Sequence, residues 1–456
     1  MRTQTCSSSE NQVGRIGPSL ACVAASAALL LAGCASPPAD RIELMPVPAV
    51  FAGGRFEPFD AVPPKARRLE TEILFATDRD PATEADLERH YASRRGHLVR
   101  LGRAHILHGD GELDWDSATR LSLQSPRKPP YRLRVDAVEE IGILAQTVSP
   151  FTDPALLPAD PGAPAAAFAA AVDRKLARSR QRDILIYVHG FKVPFENPLL
   201  VATELWHFLG YDGVVIPYSW PATPRLVAYF SDVETTALSA HYLKEFIQFL
   251  RERTSAERVH ILGYSAGTRL VLDALSMLAL TGESQGNGAR IGEVILVGSD
   301  VDSGLFAAAL TNGILDTSER LTVYLSEIDG ALRFANLVFG RDRLGQLLDH
   351  DMPSHVAATL DAADDLVLID VTDAEDADAR SGHSYFRDSP WVSSDILATL
   401  ATGLGPAERG LVRRRADVPI WRYPPDFIAR LQRALATQVA DPSNPMVQSR
   451  GRPVTP

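Results

Sequence analysis

A serine flanked by two glycines, within residues 263–267, follows a short apolar run and precedes a helical pattern. The order strand, Gly-x-Ser-x-Gly, helix is typical of a nucleophile elbow, a turn so tight that the serine adopts strained backbone angles. Glycine suits positions 263 and 267, because a Cβ at either would strike the strand or the helix. The motif therefore predicts that Ser265 is a nucleophile for acyl transfer.

A histidine and an aspartate follow Ser265 in the chain order that an α/β-hydrolase uses. Apolar runs at 293–297, 321–325 and 366–369 predict three further strands. Asp329 comes just after the second run, and His383 lies on a loop after the third. His383 would accept the proton of Ser265, while Asp329 would orient the imidazole and stabilise the imidazolium.

The identity of the acid stays open at this stage. Asp300 and Asp302 follow the preceding strand, where some hydrolases of this fold carry their acid. An aspartate before a glycine, as at Asp329, is also a common turn residue for purely local reasons. We favour Asp329 and keep Asp302 as the alternative.

Donors for a developing oxyanion are predicted at a loop after an earlier strand. The apolar run 184–188 is typical of a buried parallel strand, and it leads into His189, Gly190 and Phe191. In this fold a His-Gly pair lets the next backbone N–H turn toward the nucleophile. The predicted donors are the amides of Phe191 and Ala266. His189 precedes Ser265, so we expect it to pack and form hydrogen bonds beneath the loop.

These motifs resemble a family of bacterial α/β-hydrolases grouped as a domain of unknown function, DUF900, and described as esterase/lipase-superfamily enzymes. The similarity runs from about residue 71 to about residue 428, and its motifs lie at 75–79, 95–96, 189–191, 218–221, 229–239, 324–332, 343–345 and 382–385. The resemblance implies a Ser/Asp/His hydrolase with Ser265, Asp329 and His383 in those roles. The family elbow usually reads His-Ser-Met-Gly-Asn, whereas Tyr264, Ala266 and Thr268 stand here, so the pocket beside the serine is expected to differ.

The N-terminal residues predict where in the cell the protein is located. A basic, polar start precedes an apolar, alanine-rich stretch at 20–33, which is too short to span a membrane and has the build of a secretory signal. Its Leu-Ala-Gly-Cys ending resembles a bacterial lipobox, which implies cleavage before Cys34 and diacylation of that residue. Ala35 follows instead of aspartate, which in a Gram-negative cell suggests sorting to the outer membrane. We expect an envelope enzyme anchored at the periplasmic face of that membrane.

Composition restricts the partners. The chain has a net charge of −11 and no basic cluster, which argues against binding nucleic acid. It has neither Cys/His metal spacing nor a dinucleotide fingerprint, so we expect no metal and no cofactor. All three cysteines lie at or before Cys34, so the mature chain would hold no internal disulfide. The expected substrate is a small-molecule or lipid ester, and the oligomeric state is unknown.

The predicted fold is an α/β-hydrolase with a doubly wound, mostly parallel sheet and an N-terminal β-rich extension. Arg79, His97 and Trp115 of that extension are expected in surface or core roles, not as the lining of a pocket. The expected organisation is a lipoprotein signal peptide at 1–33, a tether at 34–68, the extension at 69–150, a linker and helix at 151–182, the catalytic domain at 183–440 and a disordered tail at 441–456.

The predicted activity is that of a serine hydrolase of carboxylic esters acting through an acyl-enzyme on Ser265. Esterase, lipase and thioesterase activities remain open, and an ester is preferred to a peptide by base rate alone. The alternative is a lipid-anchored binding or scaffold protein that keeps a hydrolase fold without turnover. The order and context of the triad and of the oxyanion loop favour the enzyme.

Overall fold

The computed structural model describes residues 40–109, 113–223, 229–282, 288–339, 343–346, 353–379, 382–416 and 418–440. Its strands are β1 (Arg41–Glu43), β2 (Glu70–Pro81), β3 (Tyr91–His108), β4 (Arg132–Ile143), β5 (Asp183–Val188), β6 (Val214–Ser219), β7 (Arg258–Tyr264), β8 (Arg290–Val297), β9 (Arg320–Leu325), β10 (Leu366–Asp370), β11 (Val412–Arg415) and β12 (Val418–Arg422).

The α-helices alternate with these strands from β5 onward. They are α1 (Trp115–Ser122), α2 (Ala163–Leu176), α3 (Glu196–Phe208), α4 (Tyr229–Arg253), α5 (Gly267–Thr281), α6 (Ser303–Thr311), α7 (Gly330–Phe339), α8 (Ser354–Asp361), α9 (Tyr385–Asp388), α10 (Pro390–Thr402) and α11 (Phe427–Ala440). Short 3₁₀ helices occur at Ala49–Gly54, Pro64–Ala66, Ala145–Thr147, Pro154–Leu156, Ile314–Thr317 and Leu344–Gln346.

The described strands form one twelve-stranded sheet in the order β1-β4-β3-β2-β6-β5-β7-β8-β9-β10-β12-β11. Every pair from β2 to β12 along this order is parallel, and the antiparallel pairs lie at the two edges. Residues of α2, α4 and α5 share one hydrophobic core with the sheet, and residues of α3, α10 and α11 share the other. The predicted doubly wound, mostly parallel α/β fold is confirmed.

The central strands are apolar because helices cover both faces of the sheet. Every residue of β5 is buried. Ile184, Ile186 and Val188 belong to one core, and Leu185 and Tyr187 belong to the other. Successive side chains of a strand point to opposite faces, so a strand between two helical layers needs apolar residues throughout. The carboxyl ends of these parallel strands lie at a common edge, where the loops carrying the predicted site residues emerge.

The N-terminal β-rich extension continues the sheet itself. Its strand β2 pairs in parallel with β6 through Ala76–Tyr218 and Thr77–Ser219. The strands β3 and β4 then add to β2 in antiparallel fashion. The end of β2 therefore lies beside the end of β6, at the same edge as the predicted site.

The predicted tether at 34–68 is wrong for residues 40–68, which pack into the fold. The strand β1 pairs with β4, and Ile42 is buried. The amide of Met45 donates to Glu204 Oε2 at 3.0 Å, and the amide of Val50 donates to Ser394 Oγ at 3.0 Å. The proline content of this segment favoured a free linker, whereas backbone pairing and apolar burial bind it to the body of the protein.

Three predictions fall outside the described residues: the signal peptide at 1–33, lipidation of Cys34 and the tail at 441–456. None of the helices that the structure describes has the length and apolar character needed to cross a membrane.

Candidate active site

Ser265 lies in the turn between β7 and α5, and its φ is +54°. This left-handed region is rarely adopted by residues other than glycine and persists only where surrounding contacts hold it. The Ser265 amide donates to the carbonyl of Val297 at 2.9 Å. Its carbonyl accepts from the Thr268 amide at 3.0 Å and from the Thr268 hydroxyl at 2.6 Å. The turn is thus held from the neighbouring strand and from the helix that follows.

The two glycines of the elbow allow the close approaches that this turn requires. A Cβ at Gly267 would lie 2.3 Å from the carbonyl oxygen of His189, which no side chain tolerates. A Cβ at Gly263 would lie 3.0 Å from Val271 Cγ2 on the facing helix. The spacing Gly-x-Ser-x-Gly therefore has the steric cause that the sequence predicted.

His383 joins the serine to an aspartate. Its Nε2 lies 2.8 Å from Ser265 Oγ, and its Nδ1 lies 2.7 Å from Asp329 Oδ2. Because a carboxylate only accepts hydrogen bonds, Nδ1 carries the proton, and Nε2 is left to accept from the serine hydroxyl. Ser265 is half-buried and His383 is nearly buried, so the serine is the member of this chain nearest to solvent.

Both oxygens of Asp329 are engaged. While Oδ2 faces His383, Oδ1 accepts from the amides of Ala331 and Leu332, each at 3.0 Å. Asp329 is fully buried just before α7, so it caps that helix as well as holding the imidazole. Three hydrogen bonds and the start of a helix thereby stabilise a buried negative charge.

The other two acidic candidates contact different partners. Asp302 caps α6, and its Oδ1 accepts from the amides of Gly304 and Leu305 at 2.9 and 3.1 Å. The buried carboxylate of Asp300 lies 3.1 Å from Arg269 Nε. The structure therefore brings Asp329 to His383 and gives Asp302 a local capping role.

Two residues that the sequence analysis did not single out shape the histidine loop. Gly298 follows β8 with φ +55°, and a Cβ there would lie 3.0 Å from His383 Cε1. The Tyr385 hydroxyl accepts from the Gly298 amide at 2.7 Å and donates to the Tyr324 carbonyl at 3.0 Å. The position of Gly298 directly after a buried strand was the sequence signal that could have identified it. Tyr385 already belongs to the family motif at 382–385.

The predicted oxyanion loop lies against the nucleophile. A Cβ at Gly190 would lie 2.8 Å from the Cβ of Ser265, so the backbone before Phe191 approaches that side chain closely. Ala266 is buried in the N-cap position of α5, where backbone amides have no acceptor within the helix. Phe191 is half-buried and packs at the margin of the core.

His189 lies beneath this loop, as its position before the elbow led us to expect. It is fully buried, stacks on Trp220 with ring centroids 5.3 Å apart, and its Nδ1 lies 2.8 Å from the carbonyl oxygen of Gly190. Burial, followed by the positive charge of Arg79, lowers the pKa of His189 to about 3. The imidazole is therefore neutral at physiological pH and donates to the loop through Nδ1.

The three residues of the N-terminal extension that were expected in surface or core roles lie in different environments. Arg79 is fully buried at the end of β2. His97 is exposed, and Trp115 is half-buried with its ring edge-on to that of Phe59 at 6.1 Å. Within the described ranges, no group of three His, Cys, Asp or Glu side chains is arranged to hold a metal ion.

The fold and the site define an α/β-hydrolase. The sheet has the expected topology, and its loops carry a strained serine at the elbow, an aspartate after β9 and a histidine after β10. The chain belongs to the family described as alpha/beta hydrolase of unknown function (DUF900), whose model matches residues 164–400, a little over half of the chain. A search of curated proteins gives no significant match. A search of solved structures gives none either.

Proposed function

We propose that this protein is a serine hydrolase that cleaves carboxylic esters through an acyl-enzyme on Ser265. One observation carries the proposal: an unbroken line of hydrogen bonds runs from Asp329 through His383 to Ser265 Oγ. This line ends on a serine held in left-handed backbone geometry between a strand and a helix. A nucleophile, a base and a group that orients the base are the parts that acyl transfer requires.

The reaction follows from these contacts. Ser265 Oγ attacks the ester carbonyl carbon while its proton passes to His383 Nε2, which forms a tetrahedral adduct. The C–O bond to the alcohol then breaks, and the alcohol leaves with the proton from His383. Water attacks the acyl-enzyme in the same way, which releases the carboxylic acid and restores Ser265. Asp329 keeps the imidazole in the productive tautomer and stabilises the imidazolium in both halves of the reaction.

The adduct places a negative charge on the former carbonyl oxygen, and we assign its donors to the backbone amides of Phe191 and Ala266. The close approach of Gly190 to Ser265 and the position of Ala266 before α5 support this assignment. Amides held rigidly before the reaction stabilise such a charge without reorganising during it.

The proposal is tested by Ser265→Ala with hydrolysis of short p-nitrophenyl esters and labelling by a fluorophosphonate. Wild type should lose its activity as one phosphonate adds to Ser265, detected by peptide mass spectrometry. Ser265→Ala should neither be labelled nor turn over, a loss on the order of a million-fold. Ser276→Ala is the matched control, since its hydroxyl lies on the same helix and donates to the Leu272 carbonyl. An unlabelled, inactive wild type would favour the non-catalytic binding or scaffold alternative.

We further propose that the enzyme is lipid-anchored through Cys34 at the periplasmic face of the outer membrane. The Leu-Ala-Gly-Cys sequence after an apolar stretch supports this location. Wild type should fractionate with membranes and yield a diacylated N-terminal peptide by mass spectrometry. Cys34→Ser should keep its signal segment and lose the lipid. An unmodified mature N-terminus in wild type would contradict the anchor and leave the esterase proposal intact.

A further inference from the structure

The guanidinium of Arg79 binds the loop that carries the proposed oxyanion donor. Arg79 lies just beyond the pairing of Thr77 in β2 with Ser219 in β6. Its Nε donates to Ser219 Oγ at 3.1 Å, and its Nη2 donates to the carbonyl oxygen of Val193 at 2.7 Å. Val193 belongs to the segment between β5 and α3, which also holds Gly190 and the Phe191 amide.

This loop contains a strained residue at the point where it is held. Lys192 has φ +63°, and it stands between Phe191, the proposed donor, and Val193, the residue that Arg79 binds. Left-handed geometry at a non-glycine residue is unfavourable and needs contacts that enforce it. A charged donor on the next carbonyl supplies such a contact, since hydrogen bonds from ionised groups are roughly twice as strong as neutral ones.

A second contact holds the other end of the loop. The indole Nε1 of Trp220 donates to the carbonyl of His189 at 2.7 Å. Residues at the ends of β2 and β6 therefore hold the loop before Gly190 and after Lys192. The Phe191 amide lies between the two points, so its direction depends on both.

Filling this space with a guanidinium requires the burial of a positive charge, which is energetically unfavourable. Arg79 is fully buried, and within the described ranges no carboxylate lies at ion-pair distance from it, while its Nη1 has no hydrogen-bond partner there. Burial lowers the pKa of Arg79 to about 10, so the group stays charged at neutral pH. An apolar side chain of similar length would fill the site without burying a charge. Burial of this charge has a functional reason when the hydrogen bond to Val193 and the positive charge beside the loop assist the reaction.

We propose that Arg79 is a positioning residue: it holds the Val193 carbonyl so that the Phe191 amide keeps the direction in which it receives the oxyanion. This inference rests on the proposed esterase function. Arg79 itself does not touch the substrate. Loss of the contact should therefore lower kcat while leaving KM nearly unchanged, because the oxyanion forms only after the substrate has bound.

The test compares Arg79→Met and Arg79→Lys with wild type in the full chain. Arg79→Met should lower kcat per titrated active site by about 100-fold, which is the low end of the effect of losing an oxyanion donor. Arg79→Lys keeps a charge but loses the fork geometry and should recover part of that loss. Arg100→Met is the matched control: Arg100 is a buried arginine of β3 that pairs with Glu140 at 2.9 Å. It should lower stability without lowering kcat.

Hydrogen exchange of the loop supplies a readout that does not depend on turnover. Peptides covering 189–195 should exchange faster in both Arg79 variants and not in Arg100→Met. If Arg79→Met does not fold, Ser219→Ala removes one Arg79 contact mildly and should show the same direction in exchange and kcat. Unchanged loop exchange, or a kcat within about twofold of wild type in folded Arg79→Lys and Ser219→Ala, overturns the positioning role. Failure of wild type to react with the fluorophosphonate overturns the proposed function instead.

Discussion

Gly298 lies against the imidazole ring of His383, so close that a Cβ on this glycine would stand 3.0 Å from Cε1 and 3.2 Å from Nδ1. The glycine has φ +55° and follows β8 directly. The residue that directly follows β8, the strand before that of the proposed acid, therefore packs against the ring of the proposed base. A residue with any side chain at this point must displace the ring or shift the backbone.

Gly298→Ala should for this reason lower kcat by up to about 100-fold, since a shift of about 1 Å in a catalytic group has an effect of this size and the added Cβ requires the ring to move by a few tenths of an ångström. The measurement is steady-state hydrolysis of p-nitrophenyl acetate, normalised to folded protein. Gly403→Ala is the control, since Gly403 has φ +65° and open space within 4 Å of the added Cβ. It should lose a similar backbone free energy, about 1–2 kcal/mol, with full activity. Equal kcat in the two variants would show that the contact with His383 is unimportant.

Asp329→Asn should lower turnover by about four orders of magnitude, since an amide at this position stabilises the wrong imidazole tautomer. Asp302→Asn should change turnover little, because asparagine caps a helix about as well as aspartate. Both variants keep the size of the side chain, so thermal unfolding serves to show that each is folded. A large loss in Asp302→Asn with an active Asp329→Asn would reverse the assignment of the acid.

Tyr385→Phe removes a hydroxyl that joins the ends of β8 and β9. The Gly298 amide and the Tyr324 carbonyl would each lose a buried partner, which destabilises the protein by about 1–3 kcal/mol. Turnover should also fall, because Gly298 supports His383. Chemical denaturation and kcat are the two measurements. Tyr423→Phe, which loses a longer bond of 3.4 Å to Asp395, is the control and should leave kcat unchanged.

Acid should destabilise the protein through its buried histidines. Burial lowers the pKa of His108 to about 4 and of His189 to about 3, and it lowers the pKa of His207 well below its usual value. Between about pH 4 and 6.5 the unfolded chain binds protons that the folded state does not, so stability falls as pH falls. His108 alone should contribute about 3 kcal/mol to this loss. Burial opposes this trend at four carboxyl groups: it raises the pKa of Asp78 to about 6, and it raises the pKa values of Asp232, Asp273 and Asp370.

The measurement is the free energy of unfolding in urea at pH 7 and at pH 4.5. His108→Gln should reduce the difference between the two values, whatever it does to either value alone. His241→Gln, at an exposed position of α4, should leave the difference as in wild type. A difference that His108→Gln does not change would mean that this histidine is protonated in the folded state.

The elbow could be predicted because its motif, the strand before it and the helix after it lie in one short stretch of sequence. The steric demand on Gly263 comes from Val271 in the helix that follows, whereas the demand on Gly267 comes from the carbonyl oxygens of Val188 and His189 at the end of β5. The same holds for the alternation of apolar strands and helices after residue 183, which requires a parallel sheet covered on both faces. The Gly-x-Ser-x-Gly motif and the hydrophobic periodicity were sufficient for both predictions, although the contact that requires glycine at 267 comes from a distant segment.

The choice between Asp329 and Asp302 required the folded structure. Both follow an apolar run and stand in segments equally able to turn. Asp329 meets His383 across 54 residues of sequence, because β8, β9 and β10 stand side by side in register. Pairing of this kind depends on contacts between distant segments, which a local pattern does not contain.

The amino-acid sequence by itself determined the proposed nucleophile, the fold class and the chain order of the proposed triad, since these depend on a local motif and on periodicity. Only the tertiary structure decided that Gly298 lies against His383, that Arg79 binds the loop with the proposed oxyanion donor, and that residues 40–68 belong to the body of the protein. Each of these three facts is a contact between segments far apart in sequence. Such contacts exist only once the sheet has brought its strand ends to one edge.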